Sequence, residues 1–152
     1  MILEYFQLVD RVLEIDRDAG RVRCAARVPE TSTIFEGHFP GHPLMPGTLL
    51  VESMAQTSGY LLLSMQDFER LPFLIQIEKA KIRTFVEPGT DLTVEGELVH
   101  EGSGFAVTRA SVKSTQDEQK IAEAELRFRT MPFPTDDLRA TVRAHAASVG
   151  VR

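Results

Sequence analysis

His38, Gly47 and Glu52 are the residues in this chain whose types and spacing could do chemistry together. They fall in the stretch EGHFPGHPLMPGTLLVESMAQTSG, residues 36–59. Glu52 lies in a run that is apolar on nearly all sides. Burial penalises a charged carboxylate, so such a carboxyl is held toward its protonated form. A carboxyl that keeps its proton near neutral pH is a general acid. The other reading of Glu52 is structural: a carboxylate paired to a base or reaching solvent. His38 precedes Phe39-Pro40-Gly41, which puts an imidazole on a stiff loop, either as a base or as an ordinary loop histidine. His38 and His42 have the i,i+4 spacing that ligates zinc on a helix. Pro40, Gly41 and Pro43 forbid a helix there, so no metal site is expected. Gly47 follows Pro46 and opens the next helix, where first-turn amides lack internal partners and carry partial positive charge. A glycine at that point lets a substrate oxygen come close. An imidazole base, a carboxylic acid and a backbone oxyanion site suffice to take a proton from beside a thioester carbonyl and expel a β-hydroxyl as water.

The elements that must hold these groups can be read from the pattern. Phe6 to Ile15 is largely apolar, Asp16 to Gly20 is a turn, and Arg21 to Val28 resumes as a strand, which predicts a hairpin. Pro29, Gly37, Pro40, Gly41, Pro43, Pro46 and Gly47 then crowd one segment, so an irregular, rigid loop is expected. Thr48 to Met65 holds no proline. Its apolar residues surround the helical wheel, which predicts a buried helix. Glu52 and Gln56, four apart, share one of its faces. Phe73 to Phe85 is a further strand. Beyond it the period drops to two around Leu92–Leu98, Ala106–Val112 and Ala122–Phe128, with short turns between, which predicts an antiparallel meander with one wet face. A helix apolar all round must be covered. The expected class is therefore α+β: a curved antiparallel sheet wrapped around one long buried helix, the hotdog fold. Its open edges invite pairing with a second copy. Residues 1–132 form the expected domain. Residues 133–152 are a C-terminal extension, either a short helix near Leu138–Ala147 or a frayed tail.

Composition narrows the partners. Of 152 residues, 17 are Lys or Arg against 22 Asp or Glu, for a net charge of −5. That balance argues against a nucleic-acid binder of the usual basic kind. The single cysteine, Cys24, excludes an internal disulfide framework and a multi-cysteine metal site. No basic leader opens the chain and no apolar run is long enough for a membrane span, so a cytoplasmic protein is expected.

The run from His38 through Pro46-Gly47 to Glu52, followed by Met54-Ala55-Gln56, strongly resembles the (3R)-hydroxyacyl-[acyl-carrier-protein] dehydratases of bacterial fatty acid synthesis, the FabZ type. Their pattern is HFPGxPxMPGxxxxE with an Ala-Gln pair soon after. The similarity extends to Tyr5–Val12, Ile77–Asp91 and Ala122–Leu126. It implies a hotdog dimer, commonly assembled into a trimer of dimers, acting on acyl groups carried by an acyl carrier protein without metal or organic cofactor. His38 of one subunit would face Glu52 of the other. Gln56 would orient Glu52, the Gly47 amide would bind the thioester carbonyl, and the Leu44 carbonyl would fix the His38 tautomer. Phe39 and Pro46 would touch substrate, and the acyl chain would enter an apolar tunnel at the dimer interface. Glu rather than Asp at position 52 implies dehydration without double-bond isomerisation.

The chain departs from that pattern at Phe85 and His42, before Tyr5, and in the C-terminal extension. These departures bear on chain length and partner rather than on chemistry. Arg127 and Arg129, or Lys79, Lys81 and Arg83, are the candidate cations for an acidic carrier. Two other readings are a hotdog acyl thioesterase and a non-catalytic acyl-binding subunit of a synthase.

Overall fold

The computed structural model describes residues 1–152. Six strands form one antiparallel sheet: β1 (Arg11–Asp16), β2 (Arg21–Arg27), β3 (Arg70–Ile82), β4 (Asp91–Gly102), β5 (Phe105–Ser114) and β6 (Lys120–Pro132). Their order is β1-β2-β4-β5-β6-β3, which leaves β1 and β3 as edges. The helices are α1 (Thr33–Gly37), α2 (Gly47–Met65) and α3 (Asp136–Ser148). None is long and apolar enough to cross a membrane.

The sheet curves around α2, the hotdog arrangement. Leu50, Met54, Leu61 and Leu62 of α2 are wholly buried against inward residues such as Val94, Val112 and Leu126. The helix settles close because the facing strands carry small residues. A Cβ on Gly96 would lie 3.0 Å from Val22 Cγ1 and 3.4 Å from Ser58 Oγ. The buried Ser58 hydroxyl is satisfied by Thr108, which donates to it at 2.9 Å. Polar residues alternate with these on the outer face. Across it, register sets Asp16, Arg21, Glu97, Arg109 and Glu125 side by side, and Lys79 closes the row 3.6 Å from Glu125. Alternating signs avoid like-charge neighbours, although each exposed pair contributes at most about 1 kcal/mol.

Two expectations change, and of the two readings left open for the C-terminal segment the helix is the one found. The N-terminal strand begins only at Arg11, whereas Leu3–Tyr5 form a turn of 3-10 helix. Leu3, Leu8 and Val9 are all buried, a spacing no strand of period two can satisfy, so the chain folds back on itself and Ile2 pairs with Gln7. Secondly, α1 forms inside the segment read as irregular. Its residues fill the gap after Pro29 and end at Gly37, ahead of Pro40, and the Ser32 side chain caps it by accepting from the Ile34 amide at 3.1 Å. Glu4 reinforces that cap, accepting from Ser32 Oγ at 2.6 Å and the Thr33 amide at 2.9 Å. These donors, the Ser32 hydroxyl first, hold the Glu4 carboxyl down at about 2. The C-terminal segment is a 13-residue helix with Thr135 as its cap, accepting from the Leu138 amide at 3.1 Å. Ala146, Val149 and Val151 are buried in the core.

Candidate active site

His38 sits where α1 ends, and the following turn is tied to itself. Phe39 and His42 exchange backbone hydrogen bonds at 3.0 and 2.9 Å. The Leu44 amide donates to the His38 carbonyl at 2.9 Å, and the Met45 amide donates to the Val86 carbonyl at 2.8 Å. Leu44 thus meets His38 through the backbone, amide to carbonyl. The imidazole stacks on Phe39 with centroids 4.1 Å apart. It is half-buried, while Phe39 remains 48% exposed.

Pro46 is the N-cap of α2 and Gly47 its first residue. Leu49 and Leu50 are the first amides to bond back, both to the Pro46 carbonyl, at 3.0 and 3.4 Å. The Gly47 amide precedes them in the positively polarised first turn. Glycine also permits a close side-chain contact here. A Cβ at position 47 would come within 2.5 Å of Ile82 Cδ1, so the end of β3 lies directly against the helix start.

Glu52 stands on the second turn of α2. The Gln56 side-chain amide donates to Glu52 Oε1 at 3.0 Å, as i,i+4 geometry allows. The same amide donates to the Phe6 carbonyl at 2.7 Å, and Gln56 Oε1 accepts from the Leu8 amide at 3.1 Å. Gln56 is therefore held at both ends, and its rotamer fixes the glutamate. Within one chain Glu52 is half-buried rather than enclosed. Gln56→Ala is expected to lower kcat about tenfold or more with little change in KM, because Glu52 loses its orientation. Steady-state kinetics beside a thermal melt separate that from loss of fold.

Glu52 opens onto a groove of about 350 Å³ between α2 and β3. Ala55, Gly59, Tyr60 and Leu63 line its helix side, and Leu71, Pro72, Leu74 and Phe128 its sheet side. Positions 52, 55, 56, 59, 60 and 63 are one helical stripe. Burial pushes the Tyr60 phenol up to about 12, so it stays neutral. His38 is not among the groove's walls, so one chain brings Glu52 and Gln56 together and leaves the imidazole elsewhere. Sequence reading missed Phe6 and Leu8, which clamp Gln56, and His145, which reaches the groove from α3. No local pattern marks backbone groups or a distant helix for such roles. Cys24 offers no chemistry, since burial pushes its thiol up to about 11.

The cations sort into two groups. Lys79 pairs with Glu125 and Arg83 with Glu123. Lys81, Arg127 and Arg129 are exposed and make no ion pair. Arg129 lies in register between Phe73 and Phe105, which are 57% and 42% exposed.

A family model described as the FabA-like domain matches residues 2–125. The chain is 37% identical over 124 residues to the 3-hydroxyacyl-[acyl-carrier-protein] dehydratase FabZ of Fusobacterium nucleatum, covering 81% of this chain and 85% of that one. It is 40% identical over 125 residues to the Thermus thermophilus enzyme of the same name, with 81% and 85% covered. Among solved structures, a conserved protein of Pseudomonas aeruginosa superposes with a TM-score of 0.65 at 19% identity, over 84% and 91% of the two chains. Thioesterase superfamily member 2 of Mus musculus does so at 0.64 and 11% identity, over 83% and 84%. At those identities the likeness is one of fold.

Proposed function

The chain belongs to the FabA-like family and, within it, to the FabZ-type 3-hydroxyacyl-[acyl-carrier-protein] dehydratases, and on that premise we propose that His38 and Glu52 from two copies of the chain carry out the elimination. The protein is an enzyme of fatty acid biosynthesis that dehydrates a 3-hydroxyacyl-[acyl-carrier-protein] to the enoyl form. Neutral His38 takes the proton from C2 of the (3R)-3-hydroxyacyl thioester. The Gly47 amide and the α2 dipole stabilise the enolate-like oxygen that develops on the carbonyl. The electron pair closes the C2–C3 double bond, the C3–O bond breaks, and protonated Glu52 gives its proton to the departing hydroxyl. Water leaves with the trans-2-enoyl thioester, and the proton on His38 returns to Glu52 through solvent. Every transfer is between the substrate and side chains of this protein, so no metal or organic cofactor is required.

The observation that carries this reading is Glu52 locked by Gln56 at the head of an apolar groove. His38 lies off that groove in the same chain, and pairing with a second copy supplies it. Strand β3 is a free edge with Phe73, Ile75, Ile77 and Ile82 all 45–57% exposed, an apolar border suited to a dimer. A trimer of such dimers and a cytoplasmic location belong to the same proposal, as do Phe39 and Pro46 as substrate contacts and the Leu44 carbonyl as the partner of the His38 ring. Residues 1–132 constitute the dehydratase domain in this reading, and 133–152 an extension docked on it.

The test is the rise in enoyl absorbance on mixing the enzyme with 3-hydroxyacyl-[acyl-carrier-protein]. Free thiol appearing instead of an enoyl product would make it a thioesterase. The acidic carrier needs positive charge on a chain that is net negative. Arg127 and Arg129 supply it, whereas Lys79 and Arg83 are spent on neighbouring carboxylates. Reversing both arginines to glutamate is expected to raise KM for carrier-linked substrate by roughly tenfold while leaving KM for a short pantetheine thioester unchanged. Equal effects on the two substrates would remove these residues from docking.

A further inference from the structure

We infer that α3, which lies beyond the residues matched by the family model, is the end wall of the acyl groove and sets the longest chain the enzyme accepts, with His145 as the residue in contact. This rests on the dehydratase reading only in naming the occupant an acyl chain. The groove follows one stripe of α2 from Glu52 to Leu63, a rise of about 16 Å at 1.5 Å per residue. An extended chain advances roughly 1.2 Å per bond, so that distance takes about a dozen carbons. The family match stops at residue 125 and α3 starts at Asp136.

Helix α3 is fastened across the far end of that stripe. Arg143 donates to the Asp67 carbonyl at 3.1 Å and lies over the Phe68 ring, 5.1 Å from its centroid. Arg139 is ion-paired with Glu69. Residues 67–69 are the turn that ends α2, one helical turn past Leu63. The other end of α3 reaches β1, where Val149 accepts from the Val12 amide at 2.7 Å. The helix therefore runs from the β6–β3 border to the opposite sheet edge, and its last turn presents His145 to the groove that Leu63 and Leu71 also line. Ala146 next to it is wholly buried, which ties this last turn to the core.

Saturated acyl pantetheine thioesters, which lack the 3-hydroxyl and cannot be dehydrated, measure the groove independently of turnover. Calorimetric affinity should climb with chain length in the wild type and level off near the dozen-carbon limit. His145→Trp should move that limit to shorter chains, lowering the affinity ratio of a twelve-carbon to a six-carbon thioester by about tenfold or more. His145→Ala should move the limit to longer chains. A limit unmoved by both substitutions in folded protein would overturn the assignment. Enoyl formation by the same preparations tests the dehydratase reading separately, because chain-length selection in binding stands or falls without it.

Discussion

Glu52→Gln lowers kcat for enoyl formation by about 10²–10⁴, the range for losing a positioned general acid. The substitution is nearly isosteric. Gln56 can still meet the new side chain at the 3.0 Å contact, and its bonds to Phe6 and Leu8 are untouched. Fold and groove therefore persist, and KM changes little. What disappears is the acidic proton at the departing hydroxyl. A thermal melt that matches wild type separates this loss of chemistry from a loss of fold. Turnover within about threefold of wild type would remove Glu52 from the chemistry.

His38→Ala should cost a similar factor of about 10²–10⁴ by removing the base. Its backbone duties survive, because the bond from the Leu44 amide goes to the His38 carbonyl and not to the ring. The neighbouring Phe39–His42 turn also remains. Added imidazole should restore part of the His38→Ala rate without helping Glu52→Gln. Turnover of His38→Ala within about threefold of wild type, with no response to imidazole, would assign the base elsewhere.

Much of this was legible because it is local. Proline and glycine density stops at Gly47, and the α2 helix begins there because first-turn geometry accepts both residues. The i,i+4 spacing of Glu52 and Gln56 puts them in contact whatever surrounds them. Period-two strands declared the meander, since each has one face on α2 and one in water. Long-range features stayed hidden. Phe6 and Leu8 act through backbone groups, which carry no side-chain signature. Leu8 and Val9 read as part of a strand until the fold-back, which buries Leu3 with them, became visible. Glu52 looked enclosed because α2 is apolar around most of its wheel, yet its stripe faces the open groove beside β3. His145 stands 93 positions from Glu52, and only the docking of α3 puts both on one groove. The lysines and arginines on alternating positions looked equivalent until the fold paired Lys79 and Arg83 with carboxylates and left Lys81, Arg127 and Arg129 free.

The most direct check on a shared site is to mix two inactive proteins. His38→Ala and Glu52→Gln, unfolded together and refolded, form mixed dimers in which one site has lost both groups and the other keeps an intact His38 and an intact Glu52. Random pairing predicts recovery of about a quarter of wild-type turnover from two preparations that are each nearly dead. A mixture that stays as inactive as its components, while mixed dimers are present by mass, would show that both groups act within a single chain.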